Sequence, residues 1–349
     1  MKVVVVGATG NVGTSVVEAL RTDDQVRSVV GVARRIPGWQ PEKVEWRRGD
    51  VVTDDLTPVF EGADAVVHLE WLFQPTRDTT VTWRANVLGA MRVFRAVAEA
   101  GVPALVYASS VGAYSPGPKD RPVDESWPTH GWPGAAYGRE KAYVERVLDV
   151  FEHDHPDIRV VRMRPGFIFK REAATEQRRL FGGPFVPRRL VRPGLIPFVP
   201  DMPGLRFQCL HAEDAAEAYR LAVVREVSGA FNLAAEPPLD AEGLARLLGA
   251  RTVPVPAFLA RTAMAAGWHL RLLPAAPGLL EMLLQVPLMD VTRAREVLGW
   301  TPAHSSQEAV EAVVEGLHEG AGADTAPLAP DEGPAGRLKE TATGVGGRP

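Results

Sequence analysis

Cysteine is nearly absent from this chain, and long apolar runs are missing altogether. The 349 residues contain a single cysteine, Cys209, which excludes an internal disulfide framework and a metal cluster built on several thiolates. No segment approaches the roughly 18 consecutive apolar residues that a membrane-spanning helix needs. A net charge of −4 gives no general attraction to nucleic acids or anionic membranes. We therefore expect a cytoplasmic protein with no nucleic-acid or membrane partner.

Two catalytic signatures are also missing. The sequence has no Gly-x-Ser-x-Gly motif, which argues against a serine hydrolase built on a nucleophile elbow. The run Glu-His-Asp-His at 152–155 has metal-binding residue types, but it lies where a helix is expected to fray. We therefore predict no metal site.

Strand-like and helix-like patterns alternate through residues 1–165. Helical spacing covers 14–21, 79–100 and 135–152. The apolar, β-branched runs between them predict strands at 2–6, 26–33, 43–50, 64–70, 104–109 and 158–164. Near-continuous apolar strands separated by helices are typical of a parallel sheet covered on both faces. An α/β fold with a doubly wound parallel sheet follows.

The pattern loosens after residue 165. Residues 166–319 predict a smaller, mostly helical substrate-binding domain, although segments near 205–235 are expected to return to the sheet. Six prolines make 182–206 mostly loop: Pro184, Pro187, Pro193, Pro197, Pro200 and Pro203. Residues 320–349 are rich in Gly, Ala and Pro, and we expect them to be disordered because they cannot bury enough apolar surface.

A glycine-rich turn follows the first strand. Gly7, Gly10 and Gly13 form a G-x-x-G-x-x-G pattern, in which glycine permits a tight turn and close approach of a pyrophosphate to a helix N-terminus. This position predicts a Rossmann-type dinucleotide site. The residues of the turn that we assign to the cofactor are Gly7, Thr9, Gly10, Asn11, Val12 and Gly13.

The residues after the second strand bear on the choice of cofactor. An acid about twenty residues beyond the glycine turn would hold the ribose and repel a 2′-phosphate, but Ala33 stands there. Arg34 and Arg35 can take a phosphate bidentately, which favours NADP while leaving NAD possible. Both arginines could equally point to solvent. Further cofactor-side positions follow later strands: Asp50 and Val51, which border the adenine, and Leu69.

Tyr137 and Lys141 are spaced i, i+4 on a predicted helix, so an ammonium can sit near a phenol and lower its pKa. Such a phenol can exchange a proton with an alcohol or ketone. Ser109 and Ser110 end the fifth strand, where ligands of parallel sheets bind, and either could hold the substrate oxygen.

Together these motifs resemble the extended branch of the short-chain dehydrogenase/reductase superfamily, the NAD-dependent epimerase/dehydratase family. Further matching stretches are "ADAVVHLE" (63–70), "NVLGAMRVFRAVAEAGV" (86–102), "VYASSVGAYSP" (106–116), "VRMRPG" (161–166), "LHAEDAAEAY" (210–219) and "LGWTP" (298–302). The resemblance covers about residues 1–302.

The resemblance implies roles for individual residues. Ser110 matches the catalytic serine and Tyr137 the general acid/base, while Lys141 would lower the Tyr137 pKa and hold the nicotinamide ribose. Asn86 matches a structural, cofactor-side asparagine, and Pro165 borders the nicotinamide. The family also implies that helices 79–100 and 135–152 can pair in a homodimer.

Several positions depart from the family pattern. Phe207 replaces the arginine that contacts the diphosphate in nucleotide-sugar epimerases, with Arg206 nearest to it. Glu70 replaces a small residue, and the aromatic stretch 71–73 after it either faces an apolar substrate or packs on the following helix. The basic segment 164–192 either binds an anionic substrate tail or is a solvated, mobile loop, and the second interpretation is slightly favoured.

Three functions remain open at this stage. The first is an NAD(P)-dependent oxidoreductase that acts on the carbonyl or secondary alcohol of a small metabolite. The second is a nucleotide-sugar 4-epimerase or dehydratase with tightly bound NAD. The third is a dinucleotide sensor without turnover, although the presence of Ser110, Tyr137 and Lys141 argues against it.

Overall fold

The computed structural model describes residues 1–186, 191–342 and 344–345, with the backbone alone at 334 and 335. A seven-stranded sheet organises the chain. Its strands are β1 (Lys2–Val6), β2 (Ser28–Ala33), β3 (Val44–Arg48), β4 (Ala65–His68), β5 (Ala104–Ala108), β6 (Arg159–Pro165) and β7 (Gly229–Leu233). All neighbours are parallel, and the spatial order is 7-6-5-4-1-2-3. The predicted Rossmann-type sheet is therefore confirmed.

Helices cover both faces of this sheet. The described helices of the chain are α1 (Asn11–Arg21), α2 (Thr57–Phe60), α3 (Thr79–Trp83), α4 (Gly89–Glu99), α5 (Ala136–Asp154), α6 (Ala174–Gln177), α7 (Ala212–Val224), α8 (Ala241–Leu248), α9 (Ala257–His269), α10 (Pro277–Gln285), α11 (Thr292–Glu296), α12 (Ser306–Glu319) and α13 (Pro334–Ala342). A π-helical turn, Arg84–Leu88, joins α3 to α4, so the predicted helix 79–100 is continuous but locally widened.

Alternating side chains of the strands fill two cores. Val3, Val5 and Val67 pack with α1 and α7 on one face. Val4 and Val66 pack with α4 and α5 on the other. Because both faces are buried, the strands read as continuous apolar runs, which is why the sequence reveals them.

The described residues also form eight strands of two to four residues outside this sheet: Pro122–Val123, Phe167–Phe169, Phe198–Asp201, Arg206–Phe207, Cys209–His211, Leu239–Asp240, Arg251–Pro254 and Leu288–Met289. Strand β7 lies at the sheet edge beside β6, so the chain returns to the sheet after leaving it. Among the described residues, no helix is both long and apolar enough to cross a membrane.

The C-terminal segment differs from the expectation of disorder over 320–349. Leu328 is fully buried, and the Thr325 hydroxyl donates to the Thr9 carbonyl over 2.8 Å. Arg178 pairs with Glu340 of α13 at 2.6 Å. The segment lacks a core of its own, but polar groups of the main body give it partners. Residues 343 and 346–349 lie outside the described residues.

Candidate active site

The glycine turn places an open helix N-terminus beside the sheet. Gly7 has a φ of +85°, and a Cβ there would lie 2.6 Å from the backbone nitrogen of Glu70. A Cβ at Gly10 would meet only the Gly7 carbonyl, at 3.7 Å, so this side leaves space for a ligand. No described side chain caps the first turn of α1. Its N–H groups are therefore suited to a phosphate.

Two unpartnered atoms flank this turn. Asn11 Oδ1 and Glu70 Oε2 are buried without a hydrogen-bond partner among the described residues. Asn11 is held through its Nδ2, which donates to the Ile168 carbonyl over 3.1 Å. Buried polar atoms without partners are uncommon in folded proteins, and a bound ligand can satisfy them. Together with the open glycine turn, they fit a dinucleotide.

The adenosine end lies after β2 and β3. Ala33 is buried, and Arg34 and Arg35 are exposed. Asp50 Oδ1 accepts a hydrogen bond from the backbone of Val52 at 2.9 Å, so the carboxylate fixes its own turn. Val51 is buried against the first residue of α4. These side chains border the adenosine end of the site, and the exposed Arg34 and Arg35 lie at its edge.

The other predicted cofactor residues hold the backbone in place. Leu69 donates its N–H to the Val6 carbonyl over 2.8 Å. Pro165 pairs in register with Leu233 of β7, and Val12 packs on the core beneath α1. Thr9 is buried, and its carbonyl accepts a hydrogen bond from Thr325 of the C-terminal segment.

Ser110 and Tyr137 meet at the reaction end. Ser110 caps a 3₁₀ turn, Val111–Ala113, by accepting from the Gly112 N–H at 3.0 Å, and its side chain lies near enough to Tyr137 to lower the pKa of the phenol. Ser109 points away, because its hydroxyl donates to buried Glu145 at 2.5 Å. Of the two candidate serines, only Ser110 faces Tyr137.

Burial dominates the acidity of this phenol. It raises the pKa of Tyr137 to about 12, and only Ser110 works in the opposite direction. Lys141 is not among the groups that shift this pKa, and its role in lowering it stays a prediction. The phenol is therefore protonated at neutral pH and poised to donate.

Lys141 lies one helical turn beyond Tyr137, but its ammonium has other partners. Its Nζ donates to the Ala108 carbonyl at 2.6 Å and lies 3.5 Å from the centre of the Trp71 ring. Burial lowers the Lys141 pKa to about 7, although Glu70 and Glu145 favour the charged form.

Aromatic rings cover the reaction end. Phe73 stacks on Tyr137 with centroids 5.1 Å apart, and Trp71 meets the same ring edge-on at 5.6 Å. Phe181, from the turn after α6, packs edge-on against Phe73. Trp71 and Phe73 of the stretch 71–73 thus pack on the ring of Tyr137 in α5. Trp132 instead donates to Glu281 of α10.

Asn86 fixes the backbone beneath these rings. Its Oδ1 accepts from the Leu72 N–H at 2.7 Å, and its Nδ2 donates to the Leu72 carbonyl at 2.9 Å and to Glu140 at 2.7 Å. Glu140 also accepts from the Thr82 hydroxyl. The π-helical turn thus connects the aromatic loop to α5.

Glu70 is the site residue whose role the sequence did not reveal. It follows β4, and burial raises its pKa to about 7. Lys141 and Arg34 favour its charged form, and Asp50 opposes it, so the carboxyl lies between the two ends of the site. The available signal was an acid directly after an apolar strand.

The basic segment has mostly protein partners. Lys170 donates to the hydroxyls of Thr14 and Ser15. Three arginines contact the C-terminal part of the chain: Arg171 with Glu319, Arg178 with Glu340 and Arg179 with the Pro327 carbonyl. These contacts fit neither a solvated loop nor a free anion-binding patch. Arg188 and Arg189 lie outside the described residues.

Known proteins resemble both the sequence and the fold. An uncharacterized protein of Mycobacterium tuberculosis is 27% identical over 322 residues, which cover 89% of this chain but 29% of that protein. The chain thus spans less than a third of that relative. L-arabinose 1-dehydrogenase (NAD(P)(+)) of Haloferax volcanii is 28% identical over 188 residues, 50% of this chain and 70% of that protein.

Among solved structures, UDP-glucose 4-epimerase of Thermus thermophilus in complex with NAD has a TM-score of 0.67 at 21% identity, covering 91% of this chain and 99% of that one. At this identity the likeness shows the fold alone. The profile of the NAD dependent epimerase/dehydratase family matches residues 3–234, from the glycine turn through β7. The chain therefore belongs to the NAD dependent epimerase/dehydratase family.

Proposed function

We propose that this protein is an NAD(P)-dependent oxidoreductase that reduces a carbonyl, or oxidises the corresponding secondary alcohol, on a small apolar metabolite. The observation that carries the proposal is the position of Ser110 beside Tyr137 at the carboxyl end of β5, with Lys141 one turn away on α5. A bound dinucleotide would supply or accept the hydride.

The side chains of the chain divide the remaining work. Ser110 would hold the substrate oxygen, and Tyr137 would donate its phenolic proton to that oxygen during reduction. A pKa of about 12 keeps the proton on Tyr137 until charge develops on the substrate oxygen. Lys141 would then offset the negative charge left on the phenol.

The aromatic cover supports an apolar substrate. Trp71 and Phe73 pack on the ring of Tyr137, and Phe181 packs in turn on Phe73. A substrate with a flat apolar body could displace Phe73 from its stack at low cost, because it would replace one ring contact by another.

We also propose a preference for NADP. Ala33 presents no carboxylate to a 2′-phosphate, and the exposed Arg34 and Arg35 can reach one. The Thermus thermophilus epimerase contains NAD, so cofactor identity is a point on which the proposal is open to direct test.

The test begins with the nucleotide that accompanies the purified protein. It is released by denaturation and identified by chromatography, and the protein is then assayed with NADPH and NADH against a panel of aliphatic and aromatic carbonyl compounds. The proposal expects an exchangeable site and oxidation of NADPH by apolar carbonyls. Binding of either dinucleotide without turnover of any member would contradict it.

A nucleotide-sugar 4-epimerase is the second candidate. Two solved neighbours contain UDP-glucuronic acid or UDP-glucose together with NAD. Against it, Phe207 stands at the diphosphate position, and Arg206 is occupied by the Lys119 carbonyl at 3.0 Å. Tightly held NAD and interconversion of a UDP-sugar would favour the epimerase over the reductase.

We further propose a homodimer formed through α4 and α5. Both helices expose large apolar side chains at Met91, Tyr143 and Val150. Light scattering on the purified protein would give twice the monomer mass. A monomer at micromolar concentration would contradict the proposal.

A further inference from the structure

Three side chains with metal-binding atoms converge outside the proposed active site. His211 caps α7, Glu213 lies in the first turn of that helix, and His304 precedes α12. One ligand atom from each lies within 4.8 Å of the others. The two imidazole rings are 4.3 Å apart between centroids. His304 is about ninety positions from the other two in sequence, so the fold brings it to them.

Asp214 orients one of the two histidines. Its Oδ2 lies 3.1 Å from Nδ1 of His304, and its carboxylate also accepts from the backbone N–H groups of Ala303 and His304 at 2.7 and 3.0 Å. A histidine that donates Nδ1–H to a carboxylate keeps Nε2 as a free electron pair. This carboxylate–histidine pair is the outer-shell arrangement that accompanies histidine ligands of metals.

The surrounding charges suit a cation. Glu213, Asp214 and Glu308 face the two imidazoles, and Lys170 is the nearby positive group. Both helices present positive dipole ends here, and the acids more than offset them.

His211 keeps only a weak competing bond. Its Nδ1 accepts from the Glu213 N–H at 3.4 Å, a long hydrogen bond that a metal could replace. The Glu213 side chain is 70% exposed and free to swing toward the imidazoles. A set of two histidines and one carboxylate with an open position is a common zinc-binding arrangement.

We propose that His211, Glu213 and His304 bind one divalent transition-metal ion, Zn²⁺ being the first candidate, with water completing the coordination sphere. Imidazole and carboxylate ligands favour Zn²⁺, Co²⁺ or Ni²⁺ over Mg²⁺. The ion would join the start of α7 to the loop before α12. This site is independent of the proposed reaction, and it revises the sequence-based prediction that no metal is bound.

The test uses full-length protein without an affinity tag, freed of metal by a chelator that is then removed. Titration with ZnCl₂ in a calorimeter should show one saturable equivalent, and titration with CoCl₂ should give the visible absorption of a low-symmetry cobalt site. The variant His304→Ala should weaken Zn²⁺ binding by at least the roughly 10–100-fold that loss of an outer-shell partner costs.

Two further variants keep the result interpretable. Glu213→Gln changes an exposed side chain, so it preserves the fold and should weaken binding about tenfold. His130→Ala removes an exposed histidine elsewhere and should leave binding unchanged. Absence of one-equivalent binding in the unmodified protein, or affinity in Glu213→Gln and His304→Ala equal to that of the unmodified protein, would overturn the proposal.

Discussion

The two ends of the dinucleotide site are built in different ways. At the reaction end, Ser110, Tyr137 and Lys141 are fixed by hydrogen bonds and covered by aromatic rings. At the adenosine end, Arg34 and Arg35 are exposed cations at the rim of an open turn. Under the proposed function, the chemistry would be preorganised by burial, whereas cofactor choice would rest on exposed side chains that the ligand itself orders.

The largest expected effect lies at the reaction end. Tyr137→Phe removes the proton donor and should lower kcat/KM for a carbonyl substrate by about 10²–10⁴-fold. Dinucleotide affinity should stay within about twofold, because the ring and its stacking on Phe73 remain. Steady-state kinetics and fluorescence titration with NADPH measure the two quantities.

Tyr143→Phe is the matched control, since Tyr143 is an exposed residue on the same helix. Its activity should equal that of the unmodified protein. Full activity in Tyr137→Phe would contradict the role of Tyr137 as proton donor and would leave the reaction end without an identified acid.

Glu70 lies between the two ends, and its removal should change the pH dependence of stability. Its pKa is raised to about 7 in the folded state, so its stabilising contribution is complete below the unfolded pKa and is lost as pH rises through about 7. Glu70→Gln should therefore gain about 1–2 kcal/mol relative to the unmodified protein between about pH 5 and about pH 8.5.

Urea denaturation at both pH values measures this gain. Glu61→Gln, which changes an exposed acid, should show no such trend. A stability difference that is the same at both pH values would mean that Glu70 is solvated and does not couple the two ends.

A smaller effect is expected at the adenosine end. Arg34→Ala should weaken NADPH binding about tenfold, the value of one charge-assisted hydrogen bond, and leave NADH binding almost unchanged. The control is Arg27→Ala, because Arg27 is exposed and lies just before β2, at the opposite end of the strand from Arg34. Equal losses for NADPH and NADH would show that Arg34 does not read a 2′-phosphate.

The smallest effect concerns the C-terminal segment over the glycine turn. Thr325→Val removes the hydroxyl that donates to the Thr9 carbonyl and should lower the free energy of unfolding by about 1 kcal/mol. Thr341→Val, on the exposed side of α13, should have no effect. Equal denaturation midpoints for all three proteins would mean that the hydrogen bond from the C-terminal segment does not stabilise the glycine turn.

Most of the fold is predictable from the sequence because its signals are local. The valine runs of β1 and β2 are apolar at every position since both faces of the sheet are covered. Gly7 is required by a backbone contact that no side chain can share. Such constraints act on single residues or short stretches, so they can be recognised without knowledge of the tertiary contacts.

The remainder depends on packing that no short motif encodes. The pKa of Tyr137 is set by Phe73 and Trp71, which approach it from another loop. The spacing of Tyr137 and Lys141 predicts proximity, but it does not predict that the ammonium turns to the Ala108 carbonyl. Likewise, the C-terminal segment has few large apolar residues, and it makes contacts with Arg178 and Thr9 far away in sequence.

The lone sulfur of the chain offers a practical consequence. Cys209 is fully buried beside Ser306, and burial raises its pKa, so its thiol is inert while the fold is closed. Alkylation of the protein by a thiol reagent therefore times the opening of the strand Cys209–His211, which pairs with Phe167–Phe169 and packs against α12. Since the chain has no second thiol, the alkylation rate of Cys209 reports local unfolding in every variant described above.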